Sequence, residues 1–196
     1  MKKIERNELL GLAEYEQIRP QFLARIIGEK KERRVFASDE ISVVFENRDT
    51  ALFQIQEMLR TERITKEAAI LHELETYNEL VPGDGELSAT MFVEIADADM
   101  RERRFSELAG LEGIIALEVL GTKIAARNET RGVLPDRTTA VHYIKFPLGR
   151  DLAVSLIARE RNVEGAMFFI VEHPKLTLRQ EVPAITVRNL VHDLME

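Results

Sequence analysis

The chain has 196 residues, a formal net charge of −7, and neither cysteine nor tryptophan. The absence of cysteine excludes disulfides, thiolate zinc sites, iron–sulfur ligation by this chain and a cysteine nucleophile. The negative charge argues against nucleic acid and anionic membranes as partners, and no apolar run approaches the ~20 residues that span a bilayer. The N-terminal residues contain no apolar signal-peptide core, so we expect a cytoplasmic protein.

The first 80 residues have the apolar spacing of helices, with hydrophobic residues recurring every three to four positions. Pro20 either opens a new helix after Arg19 or kinks a longer one. Thr65 is a plausible N-cap for a helix with Ile70, Leu71, Leu74 and Tyr77 inward. The pattern predicts helices over residues 14–33, 47–63 and 65–77, with a short hairpin of strands at 34–37 and 41–46.

From residue 81 the pattern changes to strands, predicted at 86–95, 114–120, 123–127, 138–146, 166–171 and 176–182. Asp97 is expected to cap a helix with Met100, Phe105, Leu108 and Leu111 inward. Gly121-Thr122 indicates a type II′ hairpin, and residues 128–137 are expected to form a loop. We therefore predict a single domain over residues 1–196, helix-rich to residue 80 and sheet-rich beyond. Its fold class is α+β, with N-terminal helices packed on a mostly antiparallel sheet with interspersed helices.

The densest set of polar residues lies where strand 41–46 turns into the next helix. Asn47 is expected to cap this helix, because its short side chain can accept a hydrogen bond from an N–H group of the first turn. Glu46, Gln54 and Glu57 share one helical side if Glu46 joins the helical geometry. Three interpretations stay open: a capped and solvated helix, a subunit interface, or a binding or metal site built from Glu46, Gln54 and Glu57.

His142, in strand 138–146, is the best candidate for a general acid or base or a metal ligand. Arg137 precedes it and could bind an anionic substrate. His142 and His173 lie on strands that could pair, so a two-histidine metal site completed by Glu46 or Glu57 is a further alternative. The competing interpretation of His142 is a structural histidine.

Ser88 and Thr90 lie with Glu86 on one strand face, where a hydrogen-bonded sheet edge is expected. No glycine-rich nucleotide loop, serine nucleophile elbow or His-Glu-x-x-His motif appears in the sequence. No cofactor is therefore evident, although the carboxylates and histidines are compatible with a divalent metal.

Several segments resemble a bacterial family filed as a domain of unknown function. They are residues 46–60 (ENRDTALFQIQEMLR), 18–22, 77–82, 85–90 and 136–143, and the resemblance covers essentially the whole chain. Members of the family tend to be encoded beside rubrerythrin-like proteins and iron–sulfur oxidoreductases, which implies a redox or peroxide-stress setting. The resemblance assigns no catalytic residue. It draws attention to the polar residues inside the matching segments: Glu46, Asn47, Arg48, Gln54, Glu57, Glu86, Arg137 and His142.

Two functions follow as hypotheses. The first is an accessory or interaction protein that acts with an iron–sulfur or rubrerythrin-like redox partner. Residues 1–80 would then form the docking or homo-oligomer surface, and reversing the charge of Arg60 and Arg63 would break the association. The second is a small metal-dependent or acid/base enzyme, or a ligand sensor, with its site between segment 46–57 and strand 138–146. Its metal ligands would be Glu46, Glu57 and His142, its catalytic residues His142 and Arg137, and its ligand-binding residues Asn47, Arg48, Gln54 and Glu86.

Overall fold

The computed structural model describes residues 1–128 and 134–196, and within them the chain forms six α-helices and nine strands. The helices are α1 (Leu12–Glu32), α2 (Arg48–Thr61), α3 (Glu67–Asn78), α4 (Ala98–Glu107), α5 (Arg150–Ile157) and α6 (Ala184–Met195). The strands are β1 (Arg34–Phe36), β2 (Ile41–Glu46), β3 (Glu86–Val93), β4 (Ile115–Val119), β5 (Thr122–Ala125), β6 (Arg127–Asn128), β7 (Val141–Pro147), β8 (Met167–His173) and β9 (Leu176–Glu181). The predicted α+β class is confirmed. Across these two ranges, no helix has the length and apolar character needed to cross a membrane.

The strands form two sheets, and every pairing among the described strands is antiparallel. Sheet A has the order β1-β2-β3-β7-β6, and sheet B has the order β5-β4-β8-β9. Strand β3 was expected at a sheet edge, but it lies at the centre of sheet A between β2 and β7. The hairpins β1-β2, β4-β5 and β8-β9 are local in sequence and were predictable, whereas the β3-β7 pairing joins distant segments.

The main core lies between the two sheets, because alternate residues of each strand point to the same face. Sheet A supplies Phe45, Leu87, Met91 and Phe146, and sheet B supplies Leu117, Val119, Met167 and Phe169. Helices α4, α5 and α6 close this core with Phe105, Leu156, Val187 and Leu190. Full burial of side chains of this size contributes about 1.5–3 kcal/mol each, so this core is the main stabilising feature of the fold.

A second apolar cluster lies in the helical layer, where α2 and α3 pack through Ala51, Ile55, Leu59, Ile70 and Leu74. Two side-chain amides fix the N-terminal segment to this layer. The Asn78 amide donates to the carbonyl of Ile4 at 2.9 Å and accepts from its N–H at 2.8 Å. The Gln56 amide accepts from the N–H of Leu10 at 2.7 Å and donates to its carbonyl at 3.4 Å. Each side-chain amide therefore pairs with both the N–H and the carbonyl of one backbone residue, as a neighbouring peptide group would.

Several local predictions need correction. Pro20 lies inside the single helix α1, so it does not open a new one. The β4-β5 turn uses Leu120 and Gly121, with φ values of 51° and 81°. Positive φ at both positions is the pattern of a type I′ turn, so the type II′ prediction is wrong and Thr122 already belongs to β5. Met100 and Leu71 were expected inward but are 56% and 46% exposed.

The predicted loop over residues 128–137 falls partly on residues 129–133, which lie outside the described residues. Before this gap, Arg127 and Asn128 form β6 and pair with β7. After it, Thr138 is buried and its N–H donates to the carbonyl of Phe105, and strand β7 begins at Val141. The strand predicted from residue 138 is therefore three residues shorter at its start.

Candidate functional site

Glu57 lies on α2, and its carboxylate is shared by three side chains. It accepts hydrogen bonds from the Tyr15 hydroxyl at 2.8 Å and from Arg19 Nε and Nη2 at 2.8 and 2.9 Å. Arg60 adds a longer contact at 3.4 Å. The hydrogen bonds from Arg19 lower the pKa of Glu57 to about 2, so its carboxylate is ionised and neutralised within the chain. Glu57 therefore fastens α1 to α2.

Glu46 is the last residue of β2 and is 4% exposed. The Thr90 hydroxyl donates to its Oε1 at 2.7 Å. Its Oε2 has no hydrogen-bond partner among the described residues, and Lys30 Nζ lies 3.7 Å away. The neighbouring Arg33 makes a bidentate ion pair with Asp193, in which Nη1 donates to Oδ2 at 2.5 Å and Nη2 donates to Oδ1 at 2.8 Å. These buried charges link α1, β2 and α6.

His142 lies on the core face of β7. Its Nε2 is 2.9 Å from the carbonyl oxygen of Thr139 and 3.0 Å from the hydroxyl of Thr138. Burial lowers the pKa of His142 below its ordinary value, so the imidazole is neutral at neutral pH. A neutral ring that donates Nε2–H to a carbonyl keeps Nδ1 as its acceptor.

The structure does not bring Glu46, Glu57 and His142 together. Glu46 and His142 lie on opposite faces of sheet A, because Glu46 shares the outer face with its partner Thr90, while His142 lies beside the core residue Met91. Glu57 lies in the helical layer, bonded to α1. The described parts of the chain contain no group of three or more histidine or carboxylate side chains placed to hold a metal ion.

His142 and His173 were expected on strands that could pair, but β7 and β8 belong to different sheets. Both nitrogens of His173 are used locally: Nε2 bonds the carbonyl of Ala109 at 3.1 Å, and Nδ1 accepts from the N–H of Lys175 at 3.1 Å. His173 therefore has a structural role at the end of β8, and the two-histidine alternative has no geometric basis in the described residues.

Asn47 caps α2, as predicted. Its Oδ1 accepts from the N–H of Thr50 at 2.9 Å, and the Thr50 hydroxyl accepts from the N–H of Asn47 at 2.9 Å. This reciprocal arrangement satisfies two backbone donors at the helix start. Asn47 Nδ2 also donates to Glu29 on α1. The side chain thus both caps α2 and holds it against α1.

Arg48 and Gln54, the next two predicted ligand-binding residues, contact other parts of the helical layer. Arg48 Nε donates to the carbonyl of Lys2 at 2.9 Å, and its Nη2 donates to the carboxylate of Glu8. Burial raises the pKa of the Tyr77 hydroxyl on α3, and the nearby Gln54 side chain partly offsets this. Arg48 therefore joins α2 to the N-terminal segment, and Gln54 faces α3.

Glu86 and Arg137 lie in separate places. Glu86 Oε1 is 2.9 Å from Lys145 Nζ and accepts from the N–H of Gly83 at 3.1 Å. Arg137 pairs with Glu102 on α4 at 2.6 Å. Arg137 is therefore held at α4, whereas Glu86 and Lys145 lie on the outer face of sheet A.

The structure reveals an exposed aromatic surface that the sequence analysis missed. Strand register places Phe36, Ser42, Phe92 and Val141 in one row across β1, β2, β3 and β7, with Tyr143 in the next row. Phe36 is 69% exposed, Val141 39% and Tyr143 37%. We call Phe36, Phe92, Val141 and Tyr143 the aromatic patch. No local signal could have found it, because four distant segments meet only through the register of sheet A.

Arg34 lies at the centre of the aromatic patch and is held in place before any partner binds. Its guanidinium lies 5.9 Å from the ring centroid of Phe36 and 5.3 Å from that of Phe92. Its Nη1 donates to the Ser42 hydroxyl at 2.7 Å, and this hydroxyl donates to Glu94 at 2.6 Å. Stacking and hydrogen bonding together fix its orientation.

Fold and site together define an α+β protein of two antiparallel sheets, with a helical layer and a partly exposed aromatic surface on sheet A. The chain belongs to the family described as "Protein of unknown function (DUF3501)", which matches residues 3–194. This match confirms the predicted family resemblance, while the gene neighbourhood stays a prediction.

A crystal structure of a similar protein, described as a novel protein of unknown function from Burkholderia pseudomallei K96243, has the same fold. It is 30% identical to this chain, covers 98% of this chain and 100% of its own, and superimposes with a TM-score of 0.89. No curated protein matches this chain.

Proposed function

We propose that the protein is an accessory protein that docks a partner protein on the aromatic patch. The observation that carries this proposal is the exposure of Phe36, Val141 and Tyr143 in adjacent rows of one sheet face. Contiguous exposed apolar surface marks interaction sites, and aromatic residues and arginine are enriched in interface cores. Arg34 is already oriented by Ser42, so its ordering costs little on binding.

The partner implied by the family resemblance is an iron–sulfur oxidoreductase or a rubrerythrin-like protein, and we propose it as the first to test. A second copy of this chain is the alternative occupant. The sequence analysis expected residues 1–80 to form the docking surface, and the aromatic patch shares only β1 and β2 with that segment. Charge reversal at Arg60 is a poor test, because Arg60 contacts Glu57 and Glu16 within the chain and its loss would also disturb the α1–α2 packing.

The proposal is tested by mixing the purified protein with the purified redox protein and measuring association by calorimetry and sedimentation velocity. We expect Phe36→Ser to weaken binding at least tenfold, because burying a phenylalanine contributes about 1.5–3 kcal/mol and ~1.4 kcal/mol is tenfold. Phe36 is exposed in the free protein, so its loss changes the free energy of unfolding by less than about 0.5 kcal/mol. The matched control is Ile27→Ser, since Ile27 is 60% exposed on α1 and outside the patch.

The outcomes distinguish a redox partner from a second copy of this chain as the molecule that binds the aromatic patch. Binding of the redox protein that Phe36→Ser weakens and Ile27→Ser does not supports the proposal with that partner. A dimer of this chain that Phe36→Ser converts to monomer assigns the patch to a second copy. Docking on this surface is contradicted if Phe36→Ser and Ile27→Ser weaken association equally. It is also contradicted if the protein associates neither with the redox protein nor with itself.

A further inference from the structure

A pocket of about 110 Å³ lies between the C-terminal end of α3 and the outer face of sheet A. Its floor is a further row of that face, where Ser88, Lys145 and Arg127 stand side by side on β3, β7 and β6. Tyr77 and Leu80 line it from α3 and the following turn. Its walls are mostly apolar, so the polar groups are confined to a few positions. This arrangement is typical of small-molecule sites.

Ser88 supplies the first sign of a ligand. It is 2% exposed, and its hydroxyl has no hydrogen-bond partner in the described part of the chain. Of its cross-strand neighbours, Glu46 accepts from the Thr90 hydroxyl through Oε1 and lies 3.7 Å from Lys30 through Oε2, and Lys145 pairs with Glu86. The hydroxyl oxygen itself is not fully enclosed, so it opens into the pocket, where a ligand can accept its hydrogen bond. Because Ser88 lines the pocket, a molecule bound there would supply the missing partner.

The charge of the pocket gives the second sign. Lys145 and Arg127 are directly opposite each other on neighbouring strands, where like charges repel. Glu86 compensates Lys145 at 2.9 Å, and the other carboxylate at the pocket, Glu79, is paired with Lys3 at 3.2 Å. Arg127 has no ionic partner among residues 1–128 and 134–196. Among the described residues at the pocket, one positive charge is thus left over, and an anion would relieve the repulsion.

The size of the pocket limits the ligand. An apolar cavity of ~150 Å³ accepts benzene and a water occupies ~30 Å³, so 110 Å³ has room for about four to six non-hydrogen atoms. We propose that the pocket binds a small organic carboxylate of this size. Its carboxylate accepts hydrogen bonds from Arg127, Lys145 and Ser88, and its carbon chain lies against Tyr77 and Leu80. This site goes beyond partner docking and does not depend on it.

The test is a titration of the labelled protein with propanoate, followed by amide shifts in ¹H–¹⁵N NMR spectra at constant ionic strength. We expect saturable shifts at Ser88 and Lys145 with a Kd of about 1–10 mM, in the range of a ligand with so few atoms. The neutral isostere propanamide should bind at least tenfold more weakly. Arg127→Gln should weaken propanoate at least tenfold and Ser88→Ala about threefold or more. The matched control Arg161→Gln, an exposed arginine outside the pocket, should change nothing.

Three results would overturn the proposal. The first is shifts that rise linearly to 50 mM propanoate, which indicate no site. The second is equal affinity for propanoate and propanamide, because it removes the role of charge. The third is unchanged affinity in Arg127→Gln. Arg127 is exposed on a short edge strand, so this variant is expected to fold, and its unfolding midpoint in urea confirms that separately.

Discussion

Replacing Glu57 by glutamine tests whether the contact between α1 and α2 is electrostatic. The pKa of Glu57 is about 2, against an ordinary value of 4.5, and its side chain is 19% exposed. The lowering of the pKa from 4.5 to about 2 corresponds to at most about 3.5 kcal/mol, at ~1.4 kcal/mol per pKa unit, and the partial exposure of the side chain reduces this. Glutamine keeps the shape but removes the charge that faces Arg19 and Arg60. We therefore expect Glu57→Gln to lower the free energy of unfolding by about 2–3 kcal/mol at pH 7.

The pH dependence gives this prediction its sign. Because the folded-state pKa of Glu57 is depressed, its stabilisation is fully present above pH 4.5 and is lost as pH falls through 2. The difference between the wild type and Glu57→Gln should therefore shrink between about pH 4.5 and pH 2.5. Urea unfolding followed by far-ultraviolet circular dichroism, repeated across this range and at pH 7, measures it.

The control is Glu16→Gln, which removes a second carboxylate beside Arg60. Glu16 lies 3.6 Å from Arg60 and its side chain is 55% exposed. Exposed ion pairs contribute about 0–1 kcal/mol, so this variant should lose less than about 0.5 kcal/mol. A loss in Glu57→Gln as small as in Glu16→Gln, or a loss of equal size at pH 7 and pH 2.5, would refute the electrostatic reasoning.

Three further predictions follow from the buried polar groups. Asn78→Ala leaves the N–H and carbonyl of Ile4 unpaired and should lower the free energy of unfolding in urea by about 2–3 kcal/mol. Burial lowers the pKa of His142, so the unfolded state binds more protons than the folded state as the pH falls. The wild type should therefore lose stability below about pH 6.5. The variant His142→Gln should lose less stability than the wild type between pH 7 and pH 5. Arg33→Met leaves Asp193 buried without its partner and should cost about 3–5 kcal/mol, most of which Asp193→Leu restores in the double variant.

Each of these predictions has a contradicting result. The control Asn189→Ala removes a partly exposed amide with a single 3.4 Å contact. A loss of stability in Asn78→Ala no larger than in this control would mean that Asn78 does not hold the N-terminal segment in place. An identical slope of stability against pH in His142→Gln and the wild type would remove His142 from the acid response. A double variant as unstable as Arg33→Met would mean that the loss reflects packing rather than an unpaired buried charge.

Local signals predicted the elements well. Asn47 was predicted to cap α2 because an N-cap depends on a few consecutive residues, and the Asn47–Thr50 bonds confirm it. Local signals failed to predict burial where the packing of an element against the rest of the chain determines which of its residues are buried. Met100 fits the apolar stripe of α4, yet it is exposed, because the buried Phe105 and Leu108 place only the C-terminal end of that helix on the core.

The sequence by itself determined the α+β class, most of the helices and strands, and the absence of thiol chemistry, since these follow from composition, caps and periodicity, but it did not separate β6 from β5. Only the tertiary structure decided which side chains meet. Glu46 and His142 lie on opposite faces of sheet A, while Phe36, Phe92 and Val141 lie in one row. The reason is physical: side chains alternate with period two along every strand, so their neighbours depend on the partner and register of each strand. Packing of the whole chain selects the partner and the register of each strand, and no short segment of sequence contains the information that fixes them.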